Sequence, residues 1–195
     1  TFTDGEFGTV YRSFAYSENK NDLVRETDAR GNETTYTVDS ATSKRKTVTD
    51  RCGNTTAYEY DNAGRTTKIT AKKKNGETLS EVSYEYDQGS SLTGIVRGDG
   101  QRYAISYDPY RNLEAVKIGS TSLVTYGYKS SAGKLKRMTY ANGDYMTATY
   151  NSFGQLVTEK WFDSSDALTA HYKYIYDNEG NIVRSLDILS GKEYN

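Results

Sequence analysis

One cysteine, one histidine, one proline and one tryptophan occur in 195 residues, and each scarcity closes off a class of function. A lone Cys52 rules out an internal disulfide framework. A lone His171 rules out metal sites built from several histidines and makes a histidine-based triad a poor candidate. No apolar run reaches the roughly 18 residues of a transmembrane helix. The opening Thr1-Phe2-Thr3-Asp4 lacks the basic-then-apolar order of a signal peptide. Charge of one sign is missing too: 25 basic against 26 acidic side chains leave a net −1, so no overall field draws the chain to nucleic acid or an anionic membrane. The sequence starts and stops in mid-pattern without an initiating Met, and we expect a fragment of a longer protein.

Aliphatic residues are also few, with a hydrophobic fraction of 35% and a mean hydropathy of −0.82. Such values suit disorder, but disordered chains are equally poor in aromatic and β-branched residues. Here Tyr occurs 19 times, and Thr and Val are plentiful, which favours strands. Most apolar area must come from tyrosine rings, each with a polar hydroxyl at one end. Thin, partly wetted β-layers are expected in place of a deep Leu/Ile core.

A short unit recurs along the chain. Its clearest copy is Ala57-Tyr58-Glu59-Tyr60-Asp61-Asn62-Ala63-Gly64-Arg65. It returns around Tyr84, Tyr86 and Asp87, and around Tyr174, Tyr176, Asp177 and Gly180. Weaker copies hold Tyr107-Asp108, then Tyr126, Tyr128 and Gly133 across Ser130-Ser131-Ala132, then Tyr150 and Gly154. Tyr36 with Asp39, and Phe14 to Ser17, fit more loosely. Aligned on the Asp position, the markers fall at 17, 39, 61, 87, 108, 129, 151 and 177, giving intervals of 22, 22, 26, 21, 21, 22 and 26. Fixed self-similarity at this period is the signature of a repeat architecture.

Within one unit, Tyr58 and Tyr60 share a strand face while Glu59 takes the other. Asp61 to Gly64 supplies turn residues, and Arg65 to Thr70 reads as a return strand, which makes a hairpin. Gly53-Asn54, Asn75-Gly76, Asp99-Gly100 and Asn142-Gly143 mark further reversals. No sustained helical period appears. The longer units carry extra residues near Lys72-Lys73-Lys74 and Ser164-Ser165-Asp166, where longer loops are expected. An isolated hairpin is marginal in water, so the hairpins must stack, and exposed ends favour self-association.

The Tyr-x-Tyr-Asp-x-x-Gly-Arg pattern resembles the YD repeats of the RHS family. That family includes bacterial RHS and wall-associated proteins, shell components of insecticidal toxin complexes, and animal teneurins. Tyr58, Tyr60, Asp61, Gly64 and Arg65 match it in full, and the likeness runs from about residue 14 to the end. The resemblance implies a long β-strip that spirals into a hollow shell. In bacterial members such a shell encloses a C-terminal toxin, and in teneurins it is a scaffold for adhesion. No closing core segment of the family and no toxin domain is recognisable in these residues. Eight markers are also too few for a complete shell.

Candidate sites each have a plainer reading. His171 precedes Tyr172-Lys173-Tyr174 in a strand and reads as structural; Cys52 lies in a turn and reads as an incidental thiol. The repeated Asp residues do not read as a glycosidase pair, since a residue recurring at every hairpin is explained by turn geometry. Lys72-Lys73-Lys74 reads as a solvated tip, and Arg97-Gly98-Asp99 as turn chemistry. Asn32-Glu33-Thr34 and Asn54-Thr55-Thr56 fit a glycosylation acceptor, relevant only in a eukaryote. Tyrosine rows serve packing first, with stacking on sugars as the alternative. Trp161, beside Phe162, is the single side chain singled out for possible glycan contact, against a packed position.

The expected architecture is all-β: tandem antiparallel hairpins stacked as a continuous twisted meander strip, a segment of a spiral shell. Residues 1–195 form one array of about seven repeats of 21–26 residues. The expected function is non-catalytic, with no cofactor and no metal: wall of a secreted or cell-surface RHS-type protein that encloses or displays an effector. Its expected partners are the rest of the parent protein, the C-terminal effector, and cell-surface glycans. The alternative is a carbohydrate-binding or adhesion module using exposed aromatic residues.

Overall fold

The computed structural model describes residues 2–4, 8–10, 12–18, 21–129 and 133–194, so the Ser130-Ser131-Ala132 part of one weak repeat copy lies outside the described residues. Among the described residues there are nineteen strands and no helix. The chain divides into two compact units, 1–101 and 102–195.

In the first unit, β1 (Phe2–Asp4) and β2 (Gly8–Val10) form a separate antiparallel pair. The meander then runs through β3 (Ser13–Tyr16), β4 (Leu23–Thr27), β5 (Glu33–Val38), β6 (Arg45–Thr49), β7 (Thr55–Tyr60), β8 (Thr66–Lys72), β9 (Thr78–Tyr86) and β10 (Leu92–Arg97). Each of β3 to β9 pairs antiparallel with the next. The second unit repeats the plan with β11 (Arg102–Tyr107), β12 (Leu113–Ile118), β13 (Thr121–Lys129), β14 (Lys134–Tyr140), β15 (Tyr145–Tyr150), β16 (Leu156–Phe162), β17 (Leu168–Tyr176), β18 (Ile182–Asp187) and β19 (Lys192–Tyr194). Both units are all-β meanders of antiparallel hairpins, as the sequence led us to expect.

Strand alternation sorts each meander into two unlike faces. In the second unit one register row reads Tyr126, Met138, Met146, Trp161 and Ala170 across β13 to β17. The neighbouring row, on the opposite face, reads Gly127, Arg137, Thr147, Lys160 and His171. In the first unit the polar face is mainly threonine: Thr37, Thr47, Ala57, Thr70 and Glu81 lie in one row. Thr37 and Thr47 join their hydroxyls at 2.7 Å. Burial is correspondingly thin. Among the described apolar residues, Ala115, Met146 and Ala148 are buried, and most tyrosines remain half-buried, with Tyr16, Tyr110, Tyr140 and Tyr194 exposed.

The longer repeats correct the loop expectation. Lys73 still closes a tight turn, donating its N–H to Glu77 and accepting from Gly76. The Asp163 turn is closed the same way by Ala167 and Asp166. The added residues lengthen strands instead: β8 and β9 hold 7 and 9 residues, where β6 and β7 hold 5 and 6. Extra residues in paired strands keep their backbone hydrogen bonds, whereas extra loop would add backbone to be ordered without ladder partners.

Candidate functional site

The Tyr-Asp turns are the most consistently built feature of the molecule. At Asp61 the carboxylate Oδ1 accepts N–H groups from Ala63 and Arg65, both at 2.9 Å. The Gly64 N–H closes onto the Asp61 carbonyl at 2.8 Å. Asp108 holds Tyr110 and Asn112 in the same manner at 2.9 and 2.8 Å. Asp177 holds Glu179 and Asn181 at 2.9 and 2.8 Å. Asn151 does so with its amide oxygen, both bonds at 3.0 Å. Asp87 accepts from Ser91 at 2.8 Å, and Asp39 holds a turn one residue longer through Ala41 and Thr42, both at 3.1 Å.

These bonds favour the ionised carboxylate. The Asn112 amide holds the Asp108 carboxyl below its usual range, and the Asn181 amide does the same for Asp177. The Arg65 backbone N–H lowers Asp61, aided by the Arg65 side chain. Asp39, held chiefly by the Lys46 ammonium and the Thr42 hydroxyl, falls to about 2.

Beside five of the Tyr-Asp turns, the second tyrosine of the motif reaches out of its own hairpin. Tyr60 donates its phenol hydrogen to the Arg45 carbonyl at 2.9 Å, and Tyr86 donates to Thr66 at 2.8 Å. Tyr128 donates to Leu113 at 2.8 Å, Tyr150 to Leu135 at 2.9 Å and Tyr176 to Leu156 at 2.8 Å. Every acceptor is the first or second residue of the preceding repeat's return strand. The register slips between Glu59 and Tyr60, and likewise at Tyr128, Tyr150 and Tyr176. A slip of this kind bends and twists the pair locally. It accompanies the swing of each ring across to the neighbour. Burial raises the Tyr128 and Tyr150 phenols above their ordinary value, which keeps them protonated donors.

Where the residue after a turn is basic, it makes the reverse connection. Lys44 donates to the Gly64 carbonyl at 2.8 Å and lies 5.0 Å over the Tyr60 ring. Arg65 pairs with Asp61 at 2.7 Å, donates to the Asp87 carbonyl at 3.1 Å, and covers the Tyr86 ring at 4.7 Å. Lys134 stands 5.7 Å over Tyr150. The turn glycine is therefore needed twice. Gly154 has φ +78, and a Cβ there would come within 3.2 Å of the Lys134 side chain.

The first tyrosines of the motif, Tyr36, Tyr58, Tyr84, Tyr126 and Tyr174, stay half-buried within the meander, as does Tyr107. Arg45 covers the Tyr36 ring at 4.3 Å. Trp161 is half-buried, stacked on Tyr140 at 6.3 Å, with its Nε1 donating to Glu159 at 2.5 Å. Cys52 is exposed in the Asp50 turn, to which its N–H donates. Arg97 and Asp99 pair with each other at 3.2 Å. Lys73 pairs with Glu77 at 2.9 Å. The acceptor amides Asn32 and Asn54 are bonded to Asp28 and Asp50 at 2.8 and 2.9 Å. Among the described residues, no three His, Cys, Asp or Glu side chains are placed to hold a metal ion.

Sequence reasoning missed two things here. Asp28, Asp50 and Asp163 build the same turn at the opposite edge. Asp-x-x-Gly-Asn at Asp28 and Asp50 matches Asp177 to Asn181 and would have revealed two of them. The most exposed aromatics are also turn residues, Phe153 at 87% and Tyr110 at 65%, each two positions beyond its turn's Asn or Asp.

A family model described as Teneurin YD-shell matches residues 13–187. No curated protein matches the chain. Among solved structures, a crystal structure of TcdB2-TccC3 is 13% identical over 95% of this chain and 15% of its own, with a TM-score of 0.48. The Photorhabdus luminescens Tc holotoxin pore is 12% identical over 91% of this chain and 14% of its own, with a TM-score of 0.47. A porin-like protein from Bacteroides uniformis is 17% identical over 95% of this chain and 85% of its own, with a TM-score of 0.36. The chain thus spans no more than 15% of either toxin-complex structure.

Proposed function

The chain belongs to the teneurin YD-shell family, and from that premise we propose that it is a stretch of shell wall within a longer RHS-type protein. One observation carries this reading: at five turns the adjoining tyrosine spends its hydroxyl on the previous repeat. A surface evolved to bind a ligand through those phenols would leave them free. A wall needs each hairpin fastened to its neighbour, because one hairpin alone is marginal. In this proposal residues 1–195 are a fragment holding about seven repeats, and the motif residues from Tyr36 to Gly180 act structurally rather than catalytically.

The finer reading is that the completed wall encloses or displays a C-terminal effector of a secreted or cell-surface protein. Replacing Tyr60, Tyr86, Tyr128, Tyr150 and Tyr176 together by Phe keeps the rings and deletes the ties. At about 1 kcal/mol per hydrogen bond, a loss near 5 kcal/mol is expected, with a broader thermal transition. In the full-length parent, the same change is expected to open the enclosed segment to protease. A superimposable melt would sink the wall reading; a lowered melt with unchanged protection would sink enclosure alone.

A further inference from the structure

In the second unit, the face opposite Trp161 carries cations without carboxylates among them. Register sets Arg137, Thr147, Lys160 and His171 side by side on β14 to β17. Lys173 stands on the same face, opposite Thr158. Adjacent strands lie about 4.8 Å apart, so the positive groups recur across the face at roughly 5 to 10 Å. Arg137 and Lys173 are exposed, and Lys160 and His171 half-buried. Neither Lys160 nor Lys173 forms an ion pair among the described residues.

The neighbouring acids are committed elsewhere. Glu159 lies on the other face under the Trp161 Nε1–H. Asp166 accepts the Tyr145 hydroxyl at 2.7 Å, and Glu193 pairs with Arg184 at 3.4 Å. His171 registers the resulting field: burial first, then Lys160 and Lys173, lower its pKa. The first unit's corresponding face is compensated, with Lys68 paired to Glu81 at 2.9 Å and Arg25 to Glu33 at 3.3 Å.

We infer that this face of the second unit binds an acidic glycan, a linear chain bearing carboxylate or sulfate groups, through Arg137, Lys160, His171 and Lys173. Charge complementarity fixes the sign of the ligand. Lysine ammonium groups suit separate single anions better than a planar bidentate one. Between them Thr147 offers a hydroxyl to a hydroxylated chain, while Thr149 and Thr158 share a hydrogen bond at 2.6 Å and Thr139 accepts from the Arg137 Nε at 3.2 Å. An acidic peptide docking by strand addition is disfavoured, because β14 to β17 are each paired on both sides. Single-stranded nucleic acid needs free aromatic faces for its bases. The rings on this face are already engaged: Tyr145 stacks on Phe162 at 4.7 Å, and Arg137 covers Tyr145 at 3.6 Å.

The test measures binding of the intact chain at low salt to heparin and to polygalacturonate, which distinguish sulfate from carboxylate. Dextran, polyglutamate and an oligothymidine serve as competitors. At least one acidic glycan is expected to bind tenfold or more above dextran, with affinity falling as salt rises. Lys160→Gln with Lys173→Gln is expected to weaken binding at least tenfold, while the paired Arg replacements and Lys72→Gln with Lys74→Gln retain it. Lys173→Gln alone, at an exposed position, replaces the pair if the double variant melts early. Binding no tighter than to dextran, retention by the Gln variants, or a preference for polyglutamate or the oligothymidine would overturn the inference.

Discussion

Within each unit the turns fall alternately at two edges, and the edges are built on one backbone plan with different fastenings. At the Tyr-Asp edge, phenols cross to the preceding repeat from Tyr60, Tyr86, Tyr128, Tyr150 and Tyr176, and Lys44 and Arg65 cross to the following turn. At the other edge the same closing bonds recur, from Gly53 to Asp50, Gly76 to Lys73 and Gly143 to Tyr140. There the side-chain source varies. Asp50 bonds N–H groups two and four positions on, whereas Asn75 and Asn142 each bond the residue two ahead. One edge thus ties repeats together with a recurring phenol, while the other mainly reverses the chain and gains such a tie where Tyr145 donates to Asp166 at 2.7 Å. Stability should therefore be concentrated at the first, and four substitutions or titrations test that.

The largest effect is expected from Tyr150→Ala, which removes a half-buried ring together with its bond to Leu135. Scaled from full burial of an aromatic, the loss is about 2–3 kcal/mol in denaturant unfolding. Lys72→Ala, beside an opposite-edge turn, is expected to stay within about 0.5 kcal/mol. Equal losses would erase the distinction between the edges. Next comes Gly154→Ala. A left-handed residue with a Cβ costs about 1–2 kcal/mol, and here Lys134 must also shift. Gly76→Ala shares the positive φ, at +87, but its Cβ would meet nothing within 4 Å, so it should cost less.

Much of this was legible in the sequence because it is local. Asp61 and Gly64 specify a turn within five residues, and the alternation of Tyr58, Glu59 and Tyr60 specifies the faces. The ties were not legible, since Tyr60 finds Arg45 across fifteen residues whereas Tyr86 finds Thr66 across twenty. That offset depends on strand lengths and on the register slip, neither of which a motif records. The strands took up the residues expected in loops for the same reason: pairing is a property of two segments. The cationic face was invisible because Arg137, Lys160 and Lys173 are scattered in sequence and become neighbours only through register.

Acid should affect both edges alike. Asp28, Asp50 and Asp163 have lowered pKa values, as do Asp39, Asp61, Asp108 and Asp177. For a carboxyl lowered on folding, the unfolded chain takes up its proton first. The stabilisation is then fully present well above 3.8 and is lost as pH falls through the folded values, reaching about 2 for Asp39. Melting temperature should accordingly decline below pH 4, and a flat profile from pH 5 to pH 2 would contradict the turn geometry.

The smallest effect is expected from Asp50→Asn, and it asks whether these turns need charge or only an oxygen. Asn151 already answers within the chain: its amide oxygen accepts from Phe153 and Gln155, both at 3.0 Å, while its Nδ2 donates to Gln155 at 2.6 Å. At Asp50 the second oxygen accepts the Asn54 amide at 2.9 Å, so an Asn there would first set donor against donor. Asn54 relieves this by turning its amide over, since its oxygen can then accept. Melting temperature at neutral pH should move by no more than about 2 °C, with this site's share of the acid sensitivity removed. Asp61→Asn is the sharper partner, because it also gives up the 2.7 Å ion pair to Arg65, the side chain that reaches Asp87. A loss at Asp61 exceeding that at Asp50 places the difference between the edges in the crossing side chain rather than in the turn; equal losses would return it to the turn.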